Sequence, residues 1–164
     1  MSVAIENTTD AMLIHWLTQA AFAEYGTQPG TSTALKETQE GVAALLNEGN
    51  RALVALLNGL PVACVRYRIE GDAFYFFRLS VDPDYRRKGL ASALVCHLEA
   101  LATELGLSRL TCSVRMGKAD NVALYTGLGF QLIGTRSVCR DGTDVPTGDF
   151  EKPLPVRKRA EEWK

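Results

Sequence analysis

The sequence is short of the residues that build metal centres and disulfide frameworks. Its 164 residues include only four cysteines and two histidines. The cysteines are too widely spaced for a Cys-x-x-Cys pair, and zinc sites and redox pairs need such ligands at short spacing. We therefore expect reduced thiols, no metal and a cytoplasmic protein.

Long apolar runs and an excess of either charge are also missing. No uninterrupted apolar stretch reaches the roughly 20 residues of a transmembrane helix, and the N-terminus lacks the cationic start of a secretory signal. The net charge of −1 gives no overall attraction to nucleic acid or to an anionic membrane. We predict one domain over residues 1–154, a mobile tail over residues 155–164, and neither nucleic acid nor a membrane as partner.

A basic, glycine-containing turn lies between a strand-like and a helix-like segment. Residues 73–81 are rich in aromatic side chains, which favours a buried strand, and leucines at three- and four-residue spacing over residues 90–105 predict an amphipathic helix. The first N–H groups of a helix have no intrahelical partner and carry partial positive charge, so this turn suits a pyrophosphate. Residues 86–91 match the pattern Arg/Gln-x-x-Gly-x-Gly/Ala, which chance alone yields about once in six chains of this length. The interpretation of this turn as a pyrophosphate site therefore depends on the strand and helix that flank it.

Hydrophobic periodicity and turn residues divide the rest of the chain into further elements. They predict a strand at residues 2–7, a helix capped by Thr9 or Asp10 that ends near Gly26, and a second helix opened by Thr33. Asn58-Gly59 predicts a two-residue hairpin turn. Strands are also predicted at residues 51–57, 60–69, 109–114, 130–136 and 148–152, with a short helix at 121–128. The expected fold is α+β, with a mixed, mostly antiparallel twisted sheet flanked by helices.

A second motif lies beyond the long helix. Residues 121–130 read Asn-Val-Ala-Leu-Tyr-Thr-Gly-Leu-Gly-Phe, which is similar to the Asn-x-x-Ala-x-x-Leu-Tyr-x-x-x-Gly-Phe region of the GNAT superfamily of N-acetyltransferases, with the Asn-to-Ala gap shorter by one. With the turn, the chain resembles that family over roughly residues 51–136. The resemblance implies acetyl-CoA as co-substrate, a sheet that splays where it binds, and direct acetyl transfer to a primary amine in a ternary complex. A small-molecule acceptor and a protein acceptor are both left open, as is a homodimer.

The resemblance also assigns roles to individual residues. It implies that the backbone of Leu79 and Val81 pairs with the pantetheine amides, although core packing would also explain these side chains. It implies that Tyr125 protonates the departing thiolate, against the alternative of a packing residue. Asn121 either bonds the pantetheine arm or caps its helix. The phosphates would be held by the charges and N–H groups of the turn, whose residues are Arg86, Arg87, Lys88, Gly89, Ala91 and Ser92.

No residue is assigned as the general base. Many family members place a glutamate on the strand before the turn, where this chain has Tyr-Phe-Phe-Arg at residues 75–78. Arg66, Arg68 and Arg78 predict an acidic group on the acceptor, unless they pair with nearby carboxylates or solvent. The alternative to an enzyme is a non-catalytic CoA-binding sensor or interaction module, which would keep the turn but need no Tyr125.

Overall fold

Seven strands and four α-helices make up the part of the chain that the computed structural model describes, which is residues 2–23, 33–117, 119–140 and 142–155. No helix in these ranges is long and apolar enough to cross a bilayer. In chain order the elements are β1 (Val3–Asn7), α1 (Ala11–Phe22), a 3-10 turn (Thr33–Lys36), α2 (Gln39–Asn47), β2 (Arg51–Leu57), β3 (Leu60–Glu70), β4 (Ala73–Val81), a 3-10 turn (Pro83–Tyr85), α3 (Leu90–Glu104), β5 (Arg109–Arg115), α4 (Ala119–Gly127), β6 (Gln131–Arg140) and β7 (Thr143–Pro153).

The strands form one sheet in the order β1-β2-β3-β4-β5-β7-β6. Neighbouring strands run antiparallel except β4 and β5, which run parallel and are connected through α3. Alternate residues of each strand point to opposite sides, so the sheet has two faces. Both faces carry apolar side chains, and helices cover both. On one face α1 and α2 pack through Ile14, Leu17 and Val42. On the other face α3 and α4 pack through Leu94, Leu98 and Tyr125. The mixed α+β fold predicted from the sequence is confirmed.

Several predicted boundaries agree with the structure. β2 and β4 span the predicted residues, and Asp10 caps α1 by accepting from the Leu13 N–H at 3.1 Å. Asn58 and Gly59 have φ of 52° and 84°, as a tight hairpin turn requires. Residues 26–32, between the predicted end of the first helix and Thr33, lie outside the described residues, as does most of the predicted tail.

The predicted second helix is wrong in its start, and the last two strands are longer than predicted. Thr33 opens only a 3-10 turn, and α2 begins six residues later. There, the Thr38 hydroxyl accepts from the Gly41 N–H at 3.0 Å, while Glu37 turns inward to an ion pair with Arg66. This distant contact follows directly after the 3-10 turn, and the local sequence does not reveal it. β6 and β7 pair from Gln131 with Glu151 to Arg140 with Thr143, so both strands run on to the hairpin turn that connects them.

A β-bulge interrupts the pairing of β3 with β4. Arg66 faces Phe77 and Cys64 faces Ser80, so two residues of β4 lie opposite one residue of β3. The first of the two, Arg78, has a φ of 53°, in the left-handed region that non-glycine residues seldom adopt. A bulge of this kind redirects the strand and the side chains beyond it.

The sheet opens between β4 and β5. These strands pair at only three positions, from Ala73 with Arg109 to Tyr75 with Thr111. Beyond them β4 runs on to Val81 and β5 to Arg115 without pairing to each other. The splayed sheet that the resemblance implied is therefore present.

Candidate active site

A cleft of about 970 Å³ occupies the opening between β4 and β5. The N-terminus of α3, the side of α4 and the C-terminal end of α1 complete its walls. Lys88 is exposed and is not among the residues that line the cleft. The other predicted site residues all line it, and they are Leu79, Val81, Arg86, Arg87, Gly89, Ala91, Ser92, Asn121 and Tyr125.

The start of α3 leaves its first N–H groups available. Gly89 is the N-cap residue, has a φ of 76° and makes no side-chain cap bond. The first intrahelical bond joins the Ala93 N–H to the Gly89 carbonyl at 3.0 Å, so the preceding amides, including those of Ala91 and Ser92, have no partner within the helix. A Cβ on Gly89 would meet no atom within 4 Å, which means that glycine is needed here for its φ and not for space.

Arg86 ties the turn to α1. Its Nη2 donates to the carbonyl oxygen of Ala21 at 3.0 Å, in the last turn of that helix. Cationic groups are favoured there because the last carbonyls of a helix carry partial negative charge. Arg86 therefore also fixes the wall of the cleft, a role that the sequence motif did not indicate.

The backbone of β4 faces the cleft. The Asp82 N–H donates to the Val62 carbonyl on β3 at 2.9 Å. Because successive N–H groups along a strand point to opposite sides, that of Val81 points away from β3 and towards the opening. This is the orientation that an added strand-like ligand needs.

Tyr125 combines core packing with a place in the cleft wall. Its ring lies 5.7 Å from that of Phe130 and 6.0 Å from that of Phe76, and the residue is 8% exposed. Asn121 lies one turn earlier on the same helix and also lines the cleft. Because α4 begins at Ala119, Asn121 is inside the helix, and the capping alternative for it is wrong.

Cys112 is a thiol in the cleft wall that is unsuited to covalent catalysis. Burial raises its pKa to about 12, and the nearby charge of Asp149 acts in the same direction. The thiolate is the nucleophilic form of cysteine, so this residue stays inert at physiological pH. The chemistry of the cleft therefore fits direct transfer between two bound substrates.

Two of the three arginines predicted to meet an acidic acceptor are held elsewhere. Arg66 is buried and donates to both oxygens of Glu37 at 2.9 and 2.6 Å, while Arg68 pairs with Glu70 at the surface. The idea that these two arginines contact the acceptor is therefore wrong. Arg78 does line the cleft, where its Nη2 donates to Thr33 Oγ1 at 2.9 Å and its Nε lies 3.4 Å from Glu37.

The buried arginine also sets the ionisation of Glu37. Burial by itself would raise the pKa of this carboxyl, but the hydrogen bonds and charge of Arg66, with Arg78, more than offset it. The pKa of Glu37 is therefore lowered from its usual range, and the carboxylate stays charged.

A polar cluster at one side of the cleft was not found from the sequence. Ser113 Oγ donates to Asp149 Oδ1 at 2.7 Å, and Arg136 Nε lies 3.1 Å from Asp149 Oδ2. The Arg136 hydrogen bond lowers the pKa of Asp149 despite partial burial, and Ser113 contributes. Ser113 and Arg136 line the cleft. The register of β5 with β7 sets Ser113 opposite Asp149, and neither predicted motif contains these residues.

Comparison with known proteins agrees with this architecture. Residues 11–130 match the model of the Acetyltransferase (GNAT) family. Over 99 residues the chain is 38% identical to ribosomal protein bS18-alanine N-acetyltransferase of Escherichia coli, which covers 60% of this chain and 67% of that enzyme. The Salmonella typhimurium enzyme of the same name is 39% identical over 59 residues, or 36% of this chain and 40% of that one.

Solved structures share the fold over nearly the whole chain. The crystal structure of the Escherichia coli ribosomal-protein-S18-alanine N-acetyltransferase superposes with a TM-score of 0.78 at 24% identity, covering 97% of this chain and 98% of that one. A phosphinothricin acetyltransferase from Sinorhizobium meliloti, in complex with AcCoA, gives 0.75 at 18% identity, with coverage of 94% and 89%. At these identities the structural likeness establishes the fold.

Proposed function

This chain belongs to the acetyltransferase (GNAT) family and is an N-acetyltransferase that uses acetyl-CoA, and from that premise we propose that its acceptor is the α-amine of a protein N-terminus. The names of the relatives favour an enzyme over a CoA-binding sensor. Because the two named relatives act on an alanine of a ribosomal protein, an N-terminal alanine is the first acceptor to test.

The observation that carries the proposal is the charge of the cleft. Among the described residues that line it, the formally charged side chains are Arg78, Arg86, Arg87, Arg115 and Arg136. No carboxylate is among these lining residues, so no negative side chain of the described cleft wall stabilises an ammonium ion, and the acceptor nitrogen must enter neutral or lose its proton readily. An amine with a low pKa meets that condition.

The ordinary pKa values of amines decide between the two protein acceptors. An α-amine has a pKa of about 7.7–8.0 and a lysine ε-amine of about 10.4. At pH 7.5, roughly a third of α-amines are neutral, compared with about one lysine in a thousand. The reactive form of the α-amine is therefore roughly 300-fold more abundant. This difference supports an N-terminus over a lysine.

The proposal also assigns the residues that would bind acetyl-CoA. In this proposal, the free amides at the start of α3 bind the pyrophosphate, with Arg87 nearby. The Leu79 and Val81 backbone pairs with the pantetheine amides, and the Val81 N–H donates to the thioester oxygen. Tyr125 then protonates the sulfur as the C–S bond breaks. These residue roles are predictions.

Two matched peptides test the acceptor class. One has a free N-terminal alanine and no lysine, and the other is the same sequence with a blocked N-terminus and one internal lysine. With release of free thiol as the readout at pH 7.5, we expect kcat/KM to be about 10²-fold higher for the free N-terminus, following the neutral fractions. Faster turnover of the blocked lysine peptide would contradict the proposal.

A further inference from the structure

Three polar side chains from β5, β6 and β7 form a connected group beside the cleft. Ser113 Oγ donates to Asp149 Oδ1 at 2.7 Å. Arg136 Nε lies 3.1 Å from Asp149 Oδ2, and its Nη2 donates to Ser113 Oγ at 3.2 Å. Asp149 is also close enough for its charge to affect the Cys112 thiol in the cleft wall. Ser113 and Arg136, which both line the cleft, thus contact the carboxylate of Asp149 directly.

The hydrogen bonds of Ser113 leave one position open. A hydroxyl has one proton to donate and two lone pairs to accept with. The proton goes to Asp149, and one lone pair receives the Arg136 N–H. The remaining lone pair belongs to a residue that lines the cleft. In the proposal that follows, this lone pair accepts an N–H of the bound acceptor.

Ser113 and Tyr125 lie on opposite sides of the opened sheet. Cys112 and Val114 share the buried cluster of α3 and α4 with Tyr125. Because side chains alternate along a strand, Ser113 between them points to the other face. It comes two residues after Thr111, where β4 and β5 stop pairing. A thioester in the gap would have Tyr125 on one side and Ser113 on the other.

We propose that Ser113 and Asp149 form the proton-accepting pair for the attacking amine. As the neutral nitrogen bonds to the thioester carbon, it becomes positively charged and more acidic than a free ammonium ion. Its proton passes to Ser113 Oγ while the hydroxyl proton of Ser113 passes to Asp149 Oδ1. The C–S bond breaks, and the sulfur takes the phenolic proton of Tyr125. Asp149 then releases a proton to solvent and Tyr125 regains one, so the cycle yields an amide and free thiol.

The surroundings of Asp149 suit this role. Arg136 keeps the carboxylate ionised, so both of its oxygens are unprotonated at physiological pH, and the same contact lowers its basicity. A carboxylate of this kind does not remove a proton from a free ammonium ion, whose pKa is several units higher. It accepts one only after the nitrogen has begun to bond to carbon. The inference thus rests on the proposed α-amine acceptor, which enters largely neutral.

Substitutions at three positions test the pair against a matched control. Asp149→Asn removes the proton acceptor, and we expect single-turnover transfer to fall by about 10²–10⁴-fold. Ser113→Ala removes the relay but keeps the Arg136–Asp149 ion pair, and should cost at least about tenfold. Glu151→Gln is the control, because Glu151 lies on β7, pairs with Arg109 at 2.7 Å and does not line the cleft. It should leave the rate unchanged.

The Arg136→Gln variant distinguishes the loss of proton transfer from the loss of the ion pair that holds Asp149 in position. It breaks the same ion pair as Asp149→Asn but retains the Ser113–Asp149 hydrogen bond, so we expect a clearly smaller loss in kcat. The KM for the peptide and the Kd for acetyl-CoA should stay within about threefold in the Asp149→Asn protein. A rate for Asp149→Asn within about threefold of the parent, or an equal loss in Arg136→Gln, would overturn the proposal.

The choice of acceptor keeps the two proposals separate. The variants are assayed with whichever of the two peptides the parent protein acetylates faster. If that peptide is the blocked lysine peptide, the α-amine assignment fails while the proton-accepting pair is still tested by the same rate comparison.

Discussion

Tyr125 lies where core and cleft meet, so the packing of its ring and the chemistry of its hydroxyl must be separated. Its ring contacts three phenylalanines of the core, at positions 76, 130 and 150. Substitution by phenylalanine preserves those ring contacts and deletes the proton donor. A buried tyrosine outside the cleft, Tyr67, provides the matched control.

Tyr125→Phe should slow the chemical step with little effect on binding. General acid catalysis contributes about 10²–10⁴-fold, equivalent to roughly 3–5 kcal/mol of barrier. Rapid-quench single-turnover measurements should show that loss, with the Kd for acetyl-CoA within about twofold of the parent. Tyr67→Phe, which loses only a hydroxyl contact to Asn7, should transfer acetyl at the parent rate. If Tyr125→Phe does so too, the residue serves in packing and water protonates the thiolate.

At the scale of elements, α3 has a glycine with the same backbone angle at each end. Gly89 and Gly106 both have a φ of 76°, and a Cβ on either would meet no atom within 4 Å. Any side chain there incurs the same strain of about 1–2 kcal/mol. Only Gly89 lines the cleft. Comparing the same substitution at Gly89 and at Gly106 therefore separates the effect of backbone strain from the loss of ligand binding.

Gly89→Asp should abolish most acetyl-CoA binding while the protein still folds. The new carboxylate would repel the phosphates and occupy their approach to the free amides. We expect isothermal titration to show at least a tenfold weaker Kd, about 1.4 kcal/mol, relative to Gly106→Asp. Gly89→Ala and Gly106→Ala should lower Tm by similar amounts. Equal affinity in the two Asp variants would place the phosphates somewhere other than this turn.

Elements with strong local patterns could be predicted from the sequence. The aromatic run of β4, the leucines of α3 and the Asn58-Gly59 turn are local patterns, and each predicts its element from neighbouring residues alone. The Glu37–Arg66 contact just before α2 could not be found in this way, since the two residues are 29 positions apart. The Ser113–Asp149 contact spans 36 positions and exists only through strand register. The motif residues of the site were accessible because a family resemblance located them, whereas the polar cluster has no motif.

For the whole molecule, the Glu37–Arg66 pair connects the segment before α2 to the centre of the sheet. Removing one partner of a buried ion pair leaves the other charge unpaired, at a cost of about 3–5 kcal/mol. Glu37→Gln should therefore lower the free energy of unfolding by that amount in urea titrations. The control Glu70→Gln, whose partner Arg68 is exposed, should change it by less than about 1 kcal/mol. Equal effects would mean that the buried pair adds nothing beyond a surface pair.

The same pair predicts a dependence on pH with a definite sign. Folding lowers the pKa of Glu37, so the stabilisation is fully present above the unfolded pKa of about 4.3 and is lost as pH falls through the folded pKa. The difference in stability between the parent and Glu37→Gln should therefore be constant near neutrality and narrow below about pH 4. A difference that stays constant into strong acid would contradict the ionised pair.

The short parallel pairing of β4 with β5 has a consequence for how the molecule unfolds. With three paired positions between them, strands β1 to β4 and strands β5 to β7 form two blocks with few shared backbone hydrogen bonds. Cooperative unfolding needs contacts that both blocks lose together. α3 supplies them, since it packs against β2, β3 and β4 in one block and β5 in the other. The helix whose first turn lines the cleft is thus also an element that couples the two blocks into one cooperative unit.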